Sequence, residues 1–131
     1  MDSEKVINSL ISQGWTFRKE PERAEVLLVN TCGFIRAARQ ESLYTLKNLA
    51  YLKKVDPGVE IYAFGCMVAG WKEWLEQKFG RIVSGFFPTA QDLLMAFQVT
   101  PVEERTYRLT PPGYAYIKIS EGCSRQCAFC I

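Results

Sequence analysis

The residues best suited to chemistry in this chain are three cysteines near its carboxyl-terminal end. Cys123, Cys127 and Cys130 have the spacing Cys-x-x-x-Cys-x-x-Cys. Thiolates are the usual ligands of iron–sulfur clusters, and a four-iron cubane held by three thiolates leaves one iron open to an exogenous ligand. That arrangement suits the binding and reductive cleavage of S-adenosylmethionine. The spacing therefore predicts a 4Fe-4S cluster and radical chemistry.

Two other uses of these thiols stay open on the residues alone. A fourth thiolate from Cys32 or Cys66 would complete an all-cysteine zinc site, although the gaps differ from the paired Cys-x-x-Cys arms of zinc ribbons. The segment Cys127-Ala128-Phe129-Cys130 also matches a redox Cys-x-x-Cys motif. It does not open a helix after a strand, as a thioredoxin-like unit requires, so the redox interpretation is the weakest.

The composition excludes several other classes of site. The 131 residues contain no histidine, which removes mixed cysteine–histidine zinc fingers and Cys-His or Ser-His catalytic pairs. The number of cysteines is odd, and the sequence contains neither a signal peptide nor an apolar run of membrane-spanning length. We therefore expect a reducing cytoplasm and no disulfide framework. The net charge of +2, with acids and bases interspersed, does not indicate nucleic-acid binding.

Helices and short apolar strands alternate along residues 1–98. The expected strands are 26–29, 59–64 and 81–84. The expected helices are 2–13, which Gly14 ends, 36–54, one before Gly80 with Trp71, Trp74, Leu75 and Phe79 on its covered face, and one capped by Thr89 with Asp92, Leu93, Leu94 and Phe97. This alternation is typical of an α/β fold with an open, parallel, doubly wound sheet of the flavodoxin type.

Cys32 and Cys66 each follow a predicted strand within a few residues. If those two strands are neighbours, both thiols lie at the carboxyl edge of the sheet, where ligands of open α/β sheets bind. Cysteine is also among the residue types most often fully buried, so packing is an equally good explanation for a cysteine at a strand end. The residues alone leave both explanations open.

The pattern changes at residues 99–113, which predicts a domain boundary. This stretch is charged and ends in Pro111-Pro112-Gly113, as is typical of a linker. Residues 114–120 then alternate like a strand and lead into Cys123. We expect an α/β domain at 1–98, a linker at 99–113 and the start of a second domain at 114–131, with its thiols on the loop that leaves a strand.

Three motifs, in this order, resemble the methylthiotransferase branch of the radical SAM enzymes. They are Val29-Asn30-Thr31-Cys32-Gly33-Phe34-Ile35 with Ala38 and Glu41-Ser42, then Gly65-Cys66-Met67, then Lys118-Ile119-Ser120-Glu121-Gly122-Cys123 with Cys127 and Cys130. The resemblance runs along the whole chain. Gly33-Phe34-Ile35 favours the members that modify a ribosomal protein, and a tRNA-modifying member is the alternative.

The resemblance implies a fold, cofactors and partners. The fold would be a methylthiotransferase N-terminal domain followed by the first strand and cluster loop of a radical SAM barrel. Cys123, Cys127 and Cys130 would bind the 4Fe-4S cluster that takes S-adenosylmethionine, and Cys32 and Cys66 would hold an auxiliary 4Fe-4S cluster that carries the sulfur. The reaction would add a methylthio group to the β-carbon of an aspartate in a small-subunit ribosomal protein. An electron donor such as flavodoxin or ferredoxin is the other implied partner.

The sequence also departs from that family. The strand and the Gly-Cys-x-Lys-Asn segment that normally precede Asp2-Ser3-Glu4 are not in this sequence, so two thiols stand where an auxiliary cluster takes three. Val68-Ala69-Gly70-Trp71 follows Cys66, where members often have an arginine. Most of the barrel and the substrate domain would lie beyond Ile131. We therefore expect a fragment, truncated at both ends and inactive alone. A non-catalytic α/β binding module with zinc or an iron–sulfur cluster is the alternative.

Overall fold

The protein forms an α/β structure in which helices and parallel strands alternate. A computed structural model describes residues 2–103, 106–111, 113–114 and 128. In these residues the helices are α1 (Asp2–Ser12), α2 (Arg36–Val55), α3 (Cys66–Phe79) and α4 (Ala90–Ala96), and the strands are β1 (Val26–Asn30), β2 (Glu60–Phe64) and β3 (Gly85–Phe87). A short 3-10 helix, Pro21–Arg23, precedes β1. The predicted fold class is confirmed.

The strands form one parallel sheet in the order β1-β2-β3. At the carboxyl ends of the strands, Asn30 of β1 pairs with Phe64 of β2, and Phe64 pairs with Phe87 of β3. Because all three strands run the same way, the loops that leave them emerge along one edge of the sheet. That edge is where both candidate thiols of the described chain are expected.

Helices cover both faces of the sheet, and side chains of β2 point alternately into the two cores. Ile61 and Ala63 face a core that includes residues of α2 and α3, whereas Phe64 faces a second core that includes residues of α1 and α4. Leu46 of α2 and Leu75 of α3 are fully buried in the first core. Burying one such leucine contributes about 1.5–3 kcal/mol. The sheet is therefore doubly wound, as predicted.

The end of α1 is set by Gly14, as the sequence predicts. Gly14 has a φ of +88°, a left-handed conformation that side chains disfavour. Its N–H donates to the carbonyl of Ile11 at 3.0 Å, and the N–H of Trp15 donates to the carbonyl of Leu10 at 3.1 Å. This pair of bonds is a Schellman motif, which satisfies the last carbonyls of the helix.

The third strand lies later in the chain than predicted. Residues 81–84 were expected to form it, but β3 is Gly85–Phe87. The N–H groups of Ile82 and Val83 both donate to the carbonyl of Phe79 at 2.8 Å, so these apolar residues belong to the turn that ends α3. They still pack against the first core, which explains their hydrophobic character. The predicted position of the third strand was therefore wrong.

The covered face of α3 was predicted correctly except at one residue. Leu75 and Phe79 are buried and Trp71 packs against the core, but Trp74 is 43% exposed. The helix already begins at Cys66, and Trp71 has non-helical angles (φ −139°, ψ 36°) within it. Met67, Trp71, Leu75 and Phe79 lie four residues apart and all contact the first core, whereas Trp74 lies to the side of that face. The prediction that Trp74 is covered was wrong.

The first strand is less covered than its apolar sequence suggests. A strand buried on both faces was expected at 26–29, but Val29 is its only buried residue and Val26 to Leu28 are half-buried. The reason is position, because β1 forms one edge of the sheet in the described part of the chain. Residues 115–120 of the predicted strand and the thiols Cys123, Cys127 and Cys130 lie outside the described residues. The domain limits 1–98, 99–113 and 114–131 therefore stay predictions.

None of the helices in the described residues is long and apolar enough to cross a lipid bilayer.

The N-terminus of α4 generates a prediction about stability. Thr89 Oγ1 accepts the N–H of Asp92 at 3.1 Å, and the Asp92 carboxylate accepts the N–H of Thr89 at 3.0 Å. Since this capping box satisfies helix N–H groups, we expect Thr89→Ala to lower the free energy of unfolding by about 1 kcal/mol. Urea denaturation followed by circular dichroism measures it. Exposed Thr100 gives the control, and an equal loss for Thr100→Ala would contradict the prediction.

Candidate functional site

Cys32 and Cys66 occupy equivalent positions at the carboxyl edge of the sheet. Asn30 and Phe64 are register partners at the ends of β1 and β2. Cys32 lies two residues beyond Asn30, and Cys66 lies two residues beyond Phe64. The two strands are hydrogen-bonded neighbours, as the sequence analysis required. The structure therefore brings both predicted residues to one place.

The residues around Cys32 contact those around Cys66. Thr31 continues the strand pairing, because its N–H donates to the Phe64 carbonyl at 2.7 Å. Its buried hydroxyl donates to the same carbonyl at 2.8 Å, and its own carbonyl accepts the N–H of Met67 at 3.5 Å. The loop after β1 is thus bonded both to the end of β2 and to the first turn of α3.

Gly65 makes this approach possible. It has φ +109° and ψ −169°, a region that is essentially restricted to glycine. A Cβ at this position would lie 2.6 Å from the Thr31 carbonyl oxygen and 2.7 Å from Asn30 Oδ1. The residue before Cys66 must therefore be glycine for two reasons, its backbone conformation and the closeness of the neighbouring loop.

Gly33, on the other side of Cys32, is also in tight contact. A Cβ there would lie 3.0 Å from the Met67 Cα and 3.0 Å from the Trp71 ring. The Trp71 ring in turn lies under the guanidinium of Arg39 on α2, 5.1 Å from the ring centroid. These contacts tie the Cys32 loop to α3, and α3 to α2.

Ser42 is a site residue whose role the sequence reasoning missed. Its hydroxyl accepts the N–H of Cys32 at 3.0 Å and donates to the carbonyl of Ala38 at 2.9 Å. Ser42 is 6% exposed on a helix whose buried residues also include Leu46. A serine one turn before a buried leucine on the same face is the signal that could have identified it, since a buried hydroxyl needs a partner. That partner is the Cys32 backbone.

The thiols themselves are free and exposed. Burial therefore does not explain their placement, and the packing alternative is not supported. Cys32 lines a groove of about 410 Å³ between β1 and α2, together with Ser42 and Glu41. Phe34 and Ile35, which follow in the loop, are 76% and 55% exposed. An exposed thiol beside an apolar rim is accessible to a ligand.

The chemistry of this donor set fits part of a soft-metal or iron–sulfur site. Two thiols at neighbouring strand exits supply two ligands of the type that such sites use. No group of three or more His, Cys, Asp and Glu side chains suited to a metal ion occurs in the part of the chain that the structure describes. A complete site therefore needs at least one further ligand. Cys123, Cys127 and Cys130 lie outside the described residues, so their arrangement stays a prediction.

Tyr62 of β2 has a shifted pKa but belongs to the core. Burial raises the pKa of Tyr62, and the hydrogen bond to Glu60 and its negative charge raise it further. The ring contacts Phe87 and Phe97 at centroid distances of 6.2 and 4.9 Å. These contacts account for Tyr62 as a packing residue of the second core.

Sequence comparisons decide the family of this chain. Residues 1–85 match the family described as "Uncharacterized protein family UPF0004". The chain belongs to that family. This UPF0004 chain is also similar to proteins curated as ribosomal protein uS12 methylthiotransferase RimO, with 39% identity in Chlorobaculum parvum, 36% in a Sulfurihydrogenibium species and 35% in Aquifex aeolicus. The predicted resemblance to methylthiotransferases is confirmed.

The alignments cover nearly all of this chain but a minority of each relative. Each alignment covers 99% of this UPF0004 chain, but only 31%, 30% and 29% of the respective relatives. The chain therefore spans about a third of the length of the curated relatives it matches.

The close approach of Gly65 to the Cys32 loop predicts that adding one methyl group at Gly65 lowers stability strongly. Gly65→Ala would place a Cβ against the Thr31 carbonyl in addition to forcing an unfavourable φ. We expect a loss of more than about 3 kcal/mol in unfolding free energy, since the backbone strain alone costs about 1–3 kcal/mol. Gly14→Ala is the matched control, because Gly14 also has a positive φ but a Cβ added there would meet no heavy atom within 4 Å. Equal losses in urea denaturation would show that the close approach is unimportant.

The hydroxyl of Ser42 generates a second prediction for this site. Ser42→Ala leaves the part-buried Cys32 N–H without its acceptor. We expect destabilisation by about 1–3 kcal/mol, the usual cost of an unpaired buried polar group. Ser12→Ala is the control, because the Ser12 hydroxyl donates to a carbonyl of its own helix at 2.7 Å and holds no loop. Thermal and urea unfolding measure both variants, and a Ser42→Ala chain as stable as wild type would refute the assigned role.

Proposed function

We propose that this chain is the N-terminal part of a radical SAM methylthiotransferase that modifies an aspartate β-carbon in ribosomal protein uS12. The observation that carries the proposal is the placement of Cys32 and Cys66 at equivalent positions on one edge of the sheet. Both thiols are exposed there. A protein of this family with a sulfur-carrying cluster needs its thiolates together and open to a substrate.

The choice of substrate is supported by the relatives and by the loop sequence. The curated relatives are named as methylthiotransferases of ribosomal protein uS12. Gly33-Phe34-Ile35 follows Cys32 and favours the same acceptor over tRNA. A net charge of +2 also provides little attraction for a polyanion. The acceptor we propose is therefore a protein side chain.

The described residues have distinct tasks in this proposal. Cys32 and Cys66 would be ligands of an auxiliary 4Fe-4S cluster, with a third ligand from outside the described residues. Ser42 holds the backbone N–H of Cys32 through a hydrogen bond of 3.0 Å, and Thr31, the residue before it, is held to the end of β2 by a bond of 2.8 Å. Phe34 and Ile35 give the site an apolar rim, which limits the access of water to a group held there.

The three carboxyl-terminal cysteines have the other task. Cys123, Cys127 and Cys130 would hold the 4Fe-4S cluster that binds S-adenosylmethionine, as their spacing indicates. When bound, the two clusters supply the electron that cleaves S-adenosylmethionine and the sulfur that is inserted. A small electron donor such as flavodoxin or ferredoxin would be the redox partner. A reducing cytoplasm is the setting that free thiols favour.

Anaerobic reconstitution with iron and sulfide tests this proposal, because the chain has five cysteines and each set can be removed separately. We expect brown protein with about one 4Fe-4S cluster per chain, held by three thiolates. Cys123→Ser/Cys127→Ser/Cys130→Ser should lose most iron and any change of the electron paramagnetic resonance signal on addition of S-adenosylmethionine. Cys32→Ser/Cys66→Ser should keep that change. A chain with all five cysteines replaced by serine gives the background of adventitious iron.

The same preparation separates the alternatives. Colourless protein with stoichiometric zinc would support a non-catalytic binding module and contradict the radical enzyme. Iron and sulfide near two full clusters per chain would show that the two-thiol site is complete without further protein ligands. The acceptor is tested with a longer protein that contains this chain, incubated with uS12 or with tRNA. Methylthiolated tRNA and unmodified uS12 would overturn the proposed substrate. We expect no product from the 131-residue chain alone.

A further inference from the structure

Helix α1 has three polar residues that are almost completely buried. Glu4, Asn8 and Ser9 are 6%, 4% and 0% exposed. Polar side chains at this depth need hydrogen-bond partners, and the cost of leaving one unpaired is about 1–3 kcal/mol. Their partners show what this side of the helix does.

The partners are backbone groups of the predicted linker. Ser9 Oγ accepts the N–H of Val102 at 3.0 Å. Asn8 accepts the N–H of Tyr107 at 2.7 Å and donates to the carbonyl of the same residue at 2.9 Å. The Glu4 carboxylate accepts the N–H of Leu109 at 2.9 Å and that of Thr110 at 3.3 Å. Five hydrogen bonds thus join one helix to the backbone of four linker residues, Val102, Tyr107, Leu109 and Thr110.

Side-chain contacts add to this docking. The ring of Tyr107 lies against Phe17, with 4.7 Å between centroids, and Lys5 forms an exposed ion pair of 3.0 Å with Glu103. The exposed ion pair is worth little by itself. The buried polar side chains of α1 are therefore the main attachment of the linker.

The order of these bonds gives the linker a direction. Val102 is bonded to Ser9, and Thr110 is bonded to Glu4, so the chain runs toward the N-terminus of α1. Five residues of helix correspond to about 7.5 Å. The N-terminus of α1 lies at the carboxyl edge of the sheet, because Asn30 Nδ2 donates to Ser3 Oγ at 2.9 Å. The linker therefore runs toward the edge of the sheet that carries the Cys32 loop.

We propose that Glu4, Asn8 and Ser9 are positioning residues that hold the linker as a strap along α1 and bring its end at Thr110 to the carboxyl edge of the sheet. The bonds to the linker are to its backbone, so the strap tolerates charged side chains there, and it tolerates proline only at positions whose N–H is not used, such as Pro101 and Pro111. The use of this strap to bring a second cluster-binding segment toward Cys32 and Cys66 rests on the proposed function. The existence and direction of the strap do not.

Hydrogen exchange measured by nuclear magnetic resonance on the 131-residue chain tests the attachment. In Asn8→Ala/Ser9→Ala the amides of Val102 and Tyr107 lose their acceptors. We expect both to exchange at least about fivefold faster than in wild type, because one hydrogen bond is worth roughly 1 kcal/mol. Ser12→Ala, on the same helix and without a bond to the linker, should leave both rates unchanged. Unchanged rates in the double variant would overturn the proposal.

A measurement without changes in α1 tests the direction, and it remains valid if the double variant does not fold. A nitroxide is attached to Cys32 in a chain with Cys66→Ser, Cys123→Ser, Cys127→Ser and Cys130→Ser. The amides of Leu109 and Thr110 should then be broadened more strongly than that of Val102. Equal or reversed broadening would overturn the proposed direction. Neither experiment uses iron, so failure of the strap and failure of the proposed function give different results.

Discussion

The structure of the candidate site depends on the contact between the loop that leaves β1 and the start of α3. Thr31 bonds to the end of β2, and Gly65 lets the two backbones approach to a distance that a side chain would prevent. This contact joins the ends of β1 and β2 into a single packed unit. Without it, Cys32 and Cys66 would be two exposed cysteines on independent loops. Ser42 and Trp71 then fix that unit to the helices of one face.

The parts of the fold that follow from local pattern could be predicted from the sequence. Apolar runs separated by amphipathic helices imply a parallel sheet, and a parallel sheet puts its strand exits on one edge. The meeting of Cys32 and Cys66 follows from that logic and from strand order. Gly14 and Thr89 also act as expected, because helix ends are governed by local hydrogen bonding.

The parts that depend on tertiary contacts could not be predicted in this way. Ile82 and Val83 have the composition of a strand because they pack against the first core, although their N–H groups bond to Phe79 in the turn that ends α3. Trp74 is 43% exposed because it lies beside the face formed by Trp71, Leu75 and Phe79, and its apolar character alone does not reveal this. The role of Ser42 depends on the path of a loop ten residues earlier in the chain. The attachment of the linker to α1 is invisible to pattern analysis for a further reason, since it uses backbone groups that every sequence has.

The edge position of β1 has a consequence for the handling of this protein. Its sequence, Val26-Leu27-Leu28-Val29, is continuous and without charge, and three of these four residues are only half-buried in the described part of the chain. Such an edge is a template on which a strand from another molecule can add, and natural proteins normally cover it or interrupt it with charge or proline. Whatever segment or molecule lies against β1 therefore decides whether this apolar edge is open to association.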